Sequence, residues 1–390
     1  MKLLVSHFGL YKKGGWGRTF EQARGLAKLG HDVTLLCSLG GFHGFCKRFD
    51  EDGVRIVAFH DIIPLRYLSA GYGFLSLLSR AIHSVFHSYD VCLSNSHRDN
   101  AFCPCVINRF FHHGKIVTEW WDNFLSKQDK IKTKHILNRF LMKRDAAREL
   151  SSKLASDAVV ALSSVTAKRA IDAGVPPSRV KVVRGGCDIG HISYLPLPVP
   201  DLKMKKGIPE GFVTFGLIGD GDLELDDMGI FLEAMEQLGH DYRIKLLNYG
   251  KPFRKLLSQK PEYKDLICEM GWVDYYGDNS VLSATDVFVL IKKDTLENRS
   301  GWPNKLGDYL ACGRPVITNP YGELIPFMQE WDPGFIVVDY SKESIMEGIK
   351  EICEGRCDLR ELGEKNHRIA LSNSWQHRAG ELESIFMELM

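Results

Sequence analysis

Around Asp308 the chain gathers the groups that a phosphorylated ribose compound would need. Lys292 and Lys293 follow the run Asp286-Val-Phe-Val-Leu-Ile291, and Arg299, Ser300, Gly301 and Lys305 lie before a second run, Pro315-Val316-Ile317. The first run reads as a buried parallel strand. Leu306, Tyr309 and Leu310 recur at helical spacing, Pro303 stands close to a first-turn position, and Gly313 stops the helix. A helix N-terminus presents free N–H groups and the positive end of its dipole, so phosphate docks there. A carboxylate on that first turn can accept hydrogen bonds from a ribose diol, and the basic side chains could neutralise a diphosphate. An ordinary strand–loop–helix unit with a surface Asp accounts for the same pattern.

A second group of reactive residues lies in the first half. Tyr89-Asp-Val-Cys-Leu93 reads as a strand leading to His97, and Lys115-Ile-Val-Thr118 as a strand leading to Glu119-Trp-Trp-Asp122. Ligands of open parallel sheets sit at the strands' carboxyl ends. His97, Glu119 and Asp122 are therefore acid/base candidates, each equally readable as a loop-capping polar group. Gly14, Gly15 and Gly17, in Lys12-Lys-Gly-Gly-Trp-Gly17, form a loop through which backbone can approach a ligand closely. The spacing is not G-x-G-x-x-G, and Cys37-Ser38 rather than an acid ends the next strand, which argues against a dinucleotide oxidoreductase.

These groups need a frame of strands and helices. Strand 2–6, the glycine loop, a helix from Arg18 to Leu29 and strand 33–37 make one unit of a doubly wound sheet. Further strands are expected at 54–59 and 158–162, and at 180–183 before Arg184-Gly-Gly-Cys-Asp188. The pattern restarts at 212–218, with a helix from about Met228 to Leu238 and a strand 244–247 ending near Gly250. A chain of 390 residues suits two domains. The expected division is 1–195, then 196–372 after a connector stiffened by Pro196, Pro198 and Pro200, then a C-terminal helix, 373–390, that could pack back towards the first domain.

Hydrophobic content of 44% and charged content of 25% indicate a soluble globular chain. The opening MKLLVSHFGL reads as a strand rather than a signal peptide, and no uncharged apolar run approaches the ~20 residues of a membrane span. Ten scattered cysteines, without paired zinc-site spacing, read as reduced thiols of a cytoplasmic protein. The net charge of +1 hides an asymmetry: residues 1–195 hold 28 Lys+Arg and 16 Asp+Glu, so +12, and the remainder is −11. One half is thus suited to an anionic surface or ligand. Residues 126–153 carry nine Lys/Arg against three Asp/Glu, a solvated face or a contact with anionic membrane from the inner side. The apolar stretch Pro64 to Phe86 is read as packing on the sheet in preference to acceptor or membrane contact. Nothing in the pattern suggests nucleic acid.

PNKLGDYLACGRPVI resembles the nucleotide-sugar motif of retaining glycosyltransferases of family 4, in which two acids eight positions apart precede an A-x-G-x-P-V-I run. GGWGRTFEQARGLAKLGHDVTLL is similar to the family's glycine loop, RGGCD to its turn before the linker, and Gly271-Trp272-Val273 to the turn whose backbone reads the nucleobase. The likeness covers nearly the whole chain and is strongest over 12–36 and 270–318. It implies an α/β chain of GT-B fold, two Rossmann-like doubly wound domains facing a central cleft, with the acceptor on the first and the nucleotide sugar on the second. It implies that Asp308 holds the donor ribose. Gly14, Gly15, Gly17, Gly250, Trp272, Val273, Lys292, Arg299, Ser300, Gly301 and Lys305 would line the donor. Ser300 stands where the family has its first acid, and Glu297 is nearby.

The family's Arg and Lys for the diphosphate are replaced by Asp220 and Asp227-Met228, within an acidic run Asp220, Asp222, Glu224, Asp226, Asp227. Carboxylates beside a pyrophosphate repel it. The favoured reading gives the diphosphate to Lys292, Lys293, Arg299 and Lys305, with the acidic run a solvated loop turned away. A magnesium ion between acids and phosphates is the alternative not favoured. The resemblance thus implies a cofactor-free retaining hexosyltransferase of polysaccharide synthesis, acting on a glycan, lipid-linked or small-molecule acceptor. A nucleotide-sugar 2-epimerase and a non-catalytic sugar-nucleotide-binding protein remain as alternatives.

Overall fold

The computed structural model describes residues 1–13, 15–40, 45–61, 73–121, 136–274 and 277–390, with backbone alone over 136–142. It comprises two units. The first holds Met1–Gly185, Arg299–Trp302 and Trp375–Met390; the second holds Gly186–Asn298 and Pro303–Ser374. The chain changes unit ahead of the proline connector expected to mark the boundary. Residues 186–195 are already tied into the second unit, where Ser193 N–H donates to the Asn279 carbonyl (2.8 Å) and Arg314 to that of Leu195 (2.7 Å).

The first unit is built on eight strands: β1 Lys2–Leu10, β2 Asp32–Gly40, β3 Cys46–Glu51, β4 Val54–Asp61, β5 Val91–Ser94, β6 Lys115–Trp120, β7 Ala158–Ala161 and β8 Val180–Val182. Their order is β3-β4-β2-β1-β5-β6-β7-β8, all parallel except β3. Continuous apolar runs suit strands covered on both faces, and Leu3, Val5, Leu35 and Val91 are enclosed accordingly. The polar β3 was not expected. It pairs with β4 through Asp52-Gly53, both at positive φ (51° and 79°), the conformation that a two-residue hairpin demands. Helix α1, Trp16–Lys28, packs on the last helix, Trp375–Leu389, and Gly25 allows the approach: a Cβ there would stand 2.5 Å from Ala379 Cβ. Helices α2, Phe74–Phe86, and α3, Asp99–His112, follow β4 and β5.

The second unit has six parallel strands: β9 Val213–Asp220, β10 Ile244–Lys251, β11 Ile267–Gly271, β12 Val287–Leu290, β13 Val316–Thr318 and β14 Phe335–Val337, in the order β11-β10-β9-β12-β13-β14. Phe215, Phe231, Val287, Val289 and Ile349 fill its core. Each sheet reverses its strand order once, at β1/β5 in the first unit and at β9/β12 in the second. Those are the places where an open parallel sheet leaves a crevice at its carboxyl edge. Among the described residues, no helix is long and apolar enough to cross a membrane.

Candidate functional site

In the second unit, β9 and β12 pair only over Val287↔Phe215 and Phe288↔Gly216 before they part. Gly219 and Asp220 end β9, Lys292 and Lys293 follow β12, and the helix Lys305–Ala311 stands beside them. Tyr309 fixes that helix to the strand end. Its ring stacks on Phe288 (centroids 4.0 Å apart) and its hydroxyl accepts from Ile218 N–H (3.2 Å). Gly307 packs flat against the 186–187 backbone, where a Cβ would stand 2.3 Å from the Gly186 carbonyl oxygen. Asp308, half-buried, lies in the first turn of the helix, as expected.

The acidic run departs from its expected role. It is no solvated loop: the helix Gly221–Leu238 begins directly after β9, well ahead of Met228. Acids in a first helical turn complement the dipole, which is why these residues extend the helix. Their carboxylates then hold the very lysines assigned to a diphosphate. Glu224 bonds Lys292 (2.8 Å) and Lys305 (2.7 Å), Lys292 also bonds Asp227 (2.9 Å), and Lys293 bonds Asp226 (2.7 Å). Lys293 N–H and the Asn298 amide complete the shell of Asp227, each at 3.0 Å. Three lysines thus face three carboxylates, and the cluster carries no net charge. Burial alone would raise the Glu224 carboxyl, but Lys305 and Lys292 together hold it below its ordinary value. Burial pulls Lys305 below the usual lysine range against the attraction of Glu224, whereas Glu224 and Asp227 outweigh burial at Lys292 and raise it. A Cβ on Gly219 would stand 3.0 Å from Glu224 Oε1 and 3.3 Å from Lys305 Nζ, so this pair covers the loop at the end of β9.

The other expected contacts scatter. Trp272 is 80% exposed and Val273 half-buried, beyond β11. Gly250 (φ 140°) serves the sheet itself, since a Cβ would meet the Gly219 carbonyl oxygen at 2.0 Å. Arg299, Ser300 and Gly301 group with the first unit and Lys305 with the second. Ser300 is 2% exposed, and its carbonyl accepts from Ser163 Oγ (2.6 Å) and Thr166 Oγ1 (2.5 Å). Arg299 is solvent-exposed. A cavity of about 460 Å³ lined by Phe212, Arg243, Lys245 and Tyr263 opens at the amino edge of β9 and β10, the edge opposite the crevice.

In the first unit, the β1/β5 switch point is closed by a buried polar knot. Asn95 Nδ2 donates to Thr19 Oγ1 (2.9 Å) and lies 2.5 Å from His7 Nδ1, and His7 Nε2 bonds the Lys13 carbonyl (3.2 Å). Burial pushes His7 down to about 4, so it is neutral and donates through Nε2. The knot pins the glycine loop. Gly15 takes φ 78°, and a Cβ there would meet the Trp121 ring at 2.4 Å; Gly17 faces open space; Gly14 lies outside the described residues.

Glu119, read as an acid/base candidate facing a ligand, is instead 1% exposed, and its Oε1 accepts from Arg18 Nη2 (2.9 Å) and Gln22 Nε2 (2.7 Å). His97 is 2% exposed and bonds Asp145 (2.8 Å). Burial, Lys153 and Arg98 push the His97 ring down to about 2, and burial with Glu149 raises Asp145 to about 6. Asp122 lies outside the described residues. Three of the described basic side chains of the helix Ile136–Leu154 are engaged within the unit: Arg144 and Arg148 hold Asp99, and Lys153 donates to the Glu119 carbonyl (2.7 Å), while Lys143 is exposed. Sequence reading named Glu224 and Asp227 without their lysine partners, and missed Tyr309 in the second unit and Arg18 and Trp121 in the first. The available signal was a run of five acids over 220–227 in the same domain as Lys292, Lys293 and Lys305.

Residues 14–191 match the family model described as Glycosyltransferase Family 4, and residues 213–354 match that of Glycosyl transferases group 1. WcaL of Salmonella typhimurium strain LT2, named for colanic acid biosynthesis, is 22% identical over 201 residues, 50% of this chain. The match spans about half (47%) of that relative's length. Alr3699/HepE of Anabaena, solved in complex with UDP and glucose, aligns at a TM-score of 0.67 with 14% identity and 100% of both chains covered. Sucrose-phosphate synthase (tll1590) of Thermosynechococcus elongatus aligns at 0.71 with 14% identity, covering 100% of this chain and 99% of its own. At these identities the structural likeness establishes the fold, two Rossmann-like units of the GT-B kind.

Proposed function

The chain belongs to the family 4, group 1 glycosyltransferases, and from that premise we propose that it moves a sugar from a nucleoside diphosphate sugar to a glycan or lipid-linked acceptor, with retention at the anomeric carbon. The observation that carries the donor half is the β9/β12 switch point, where Gly219, Lys292, Lys305 and the first turn bearing Asp308 converge. Asp308 would take the ribose hydroxyls. Lys292 and Lys305 would neutralise the diphosphate after Glu224 turns aside. The first unit would receive the acceptor, and its glycine loop would approach the donor phosphates. In such a transfer the protein needs no nucleophile of its own. The leaving diphosphate takes the acceptor proton, and the enzyme's part is positioning and charge stabilisation. Polysaccharide synthesis is the setting that the name of WcaL favours.

Chelator is expected to leave the rate unchanged, because the carboxylates a magnesium ion would need are engaged by lysines. The deciding experiment is thermal-shift screening with UDP-, GDP-, ADP- and dTDP-sugars, followed by transfer assays and proton NMR of the product. A saturating donor should raise stability by roughly 3 kcal/mol at a hundred times its Kd. No shift with any of the four sinks the donor reading, and an inverted product sinks retention.

One observation favours a second reading. The lysine cluster is neutral, as suits a protein that binds a sugar nucleotide without turning it over. Donor binding with no product across an acceptor panel would select that reading. The 2-epimerase reading has less support, since Glu119 and His97 are enclosed and bonded. An isomerised sugar, formed from donor without acceptor, would revive it.

A further inference from the structure

Helix α2 is inside out. The residues it turns inward are polar: Ser76, Arg80, His83 and Ser84. Arg80, wholly enclosed, donates to the carbonyls of His7 (2.7 Å) and Asn100 (2.9 Å) and to Ser38 Oγ (2.8 Å), and His83 bonds the Tyr89 hydroxyl (2.8 Å). The residues it turns outward are Phe74, Leu78, Ile82 and Phe86, at four-residue spacing and exposed by 71, 46, 50 and 77%. A helix of a soluble domain ordinarily shows the reverse arrangement. The half-buried flanks of this stripe are Leu75, Leu77, Ser79, Ala81 and Val85, so α2 presents no charged group to the outside.

Its neighbour extends the face. Helix α3 exposes Val106, Phe110 and Phe111. The two helices are joined at their C-terminal ends by His112 to the Val85 carbonyl (2.9 Å) and by Asn108 to that of His87 (3.1 Å). These bonds bring the end of α2 that carries Phe86 to the end of α3 that carries Phe110 and Phe111. The sole carboxylate of either helix is Asp99, 5% exposed and held by Arg144 and Arg148.

We propose that this face of α2 and α3 docks on the surface of an anionic lipid bilayer. Exposed apolar area on this scale marks an interaction site, and aromatic and aliphatic groups on one helical face are what an interfacial helix buries below the headgroups. One feature selects lipid over a protein partner: α2 and α3 turn no exposed carboxylate towards an anionic headgroup layer, on a half-chain of net charge +12 over residues 1–195. The membrane contact then lies outside the basic stretch 126–153, whose Arg144, Arg148 and Lys153 are engaged in internal pairs.

The full chain, without donor, is sedimented with vesicles of phosphatidylglycerol and phosphatidylethanolamine and, separately, of phosphatidylcholine. Failure here leaves the glycosyl-transfer reading untouched. The wild type is expected on the anionic vesicles, at least tenfold less on the zwitterionic ones, and Phe86→Glu and Phe110→Glu should each reduce partition tenfold or more at unchanged melting temperature. Should the charged variants misfold, Phe110→Trp serves instead, its emission shifting to the blue and quenched by brominated lipid when the face inserts. Absence of the wild type from both vesicle types at low salt overturns the proposal. Undiminished binding of folded charged variants, or a Phe110→Trp emission that vesicles leave unaltered, does so too. A dimer in sedimentation velocity that the charged variants dissociate would assign the face to a second copy of the chain.

Discussion

Replacing Glu224 by Gln should tighten the binding of a nucleoside diphosphate. Glu224 sits 2.8 Å from Lys292 Nζ and 2.7 Å from Lys305 Nζ. A diphosphate held by the same two nitrogens would come within roughly 5 Å of that carboxylate. At an effective dielectric of about 20, two unit charges at that distance repel by about 3 kcal/mol. These side chains are partly open to solvent (16–17% exposed), so half of that is a fair expectation after screening. About 1.5 kcal/mol is a tenfold lower Kd. The substitution carries a stability penalty on the order of 1–3 kcal/mol, because Lys305 loses its carboxylate while Lys292 retains Asp227. Titration calorimetry with the diphosphate chosen by the screen, at low and at high salt, gives the number, and circular dichroism confirms the fold. The gain should shrink at high salt. If the folded variant binds with unchanged or weaker affinity, Glu224 is not a competitor for the lysines, and the diphosphate lies elsewhere.

Asp308→Asn is expected to weaken donor binding about tenfold, the scale of one charge-assisted hydrogen bond, and calorimetry showing an unchanged Kd would remove Asp308 from the site. Glu119→Ala should lower stability by roughly 3–5 kcal/mol, because it leaves Arg18 buried without its carboxylate; a urea midpoint equal to wild type contradicts that. Gly15→Val should displace the Trp121 ring and abolish transfer in a folded protein, and full activity would reduce the loop to a turn. Stability should fall with acid between pH 6.5 and about 4, because burial lowers His7 and His83 to about 4 each. The unfolded chain protonates them first, so the stabilisation is complete above 6.5 and lost on descent, by up to roughly 3 kcal/mol per residue. A flat urea midpoint over that window refutes it. His97 and Asp145 add no slope from about 3.8 to 6, since the pair binds one proton in either state.

Much of this molecule can be read from its residues. Apolar runs of four to six gave the parallel strands, and Leu306, Tyr309 and Leu310 gave the helix that carries Asp308. Two kinds of information could not be read. The first is long-range pairing. Glu224 and Lys305 are distant along the chain and meet because the helix after β9 folds its first turn over Gly219, and nothing local to either residue signals the meeting. The second is direction. His97 and Glu119 do follow strand ends, as inferred, but period-two alternation cannot say whether a residue just past a strand turns towards solvent or into a buried knot. Helix α2 misled for a related reason: its apolar residues were assigned to the sheet, whereas a buried Arg80 with four polar partners claimed the inner face. Gly250 and Gly15 show the same limit for glycine, whose demand comes from a neighbouring strand and an indole ring.

The chain's itinerary has a practical result for anyone cutting this gene. It passes from one unit to the other at 185/186, 298/299, 302/303 and 374/375, so neither unit is a continuous stretch of code. A fragment ending at 185 would lack the last helix, leaving the α1 surface around Gly25 bare, and would also lack the Ser300 carbonyl that the Ser163 and Thr166 hydroxyls require. A fragment beginning at 186 would carry residues 299–302 without the hydroxyls that hold them. Recombination between relatives at the middle of the sequence therefore exchanges incomplete halves. A swap that respects the fold must take residues 299–302 and the C-terminal 16 residues, 375–390, together with the first 185.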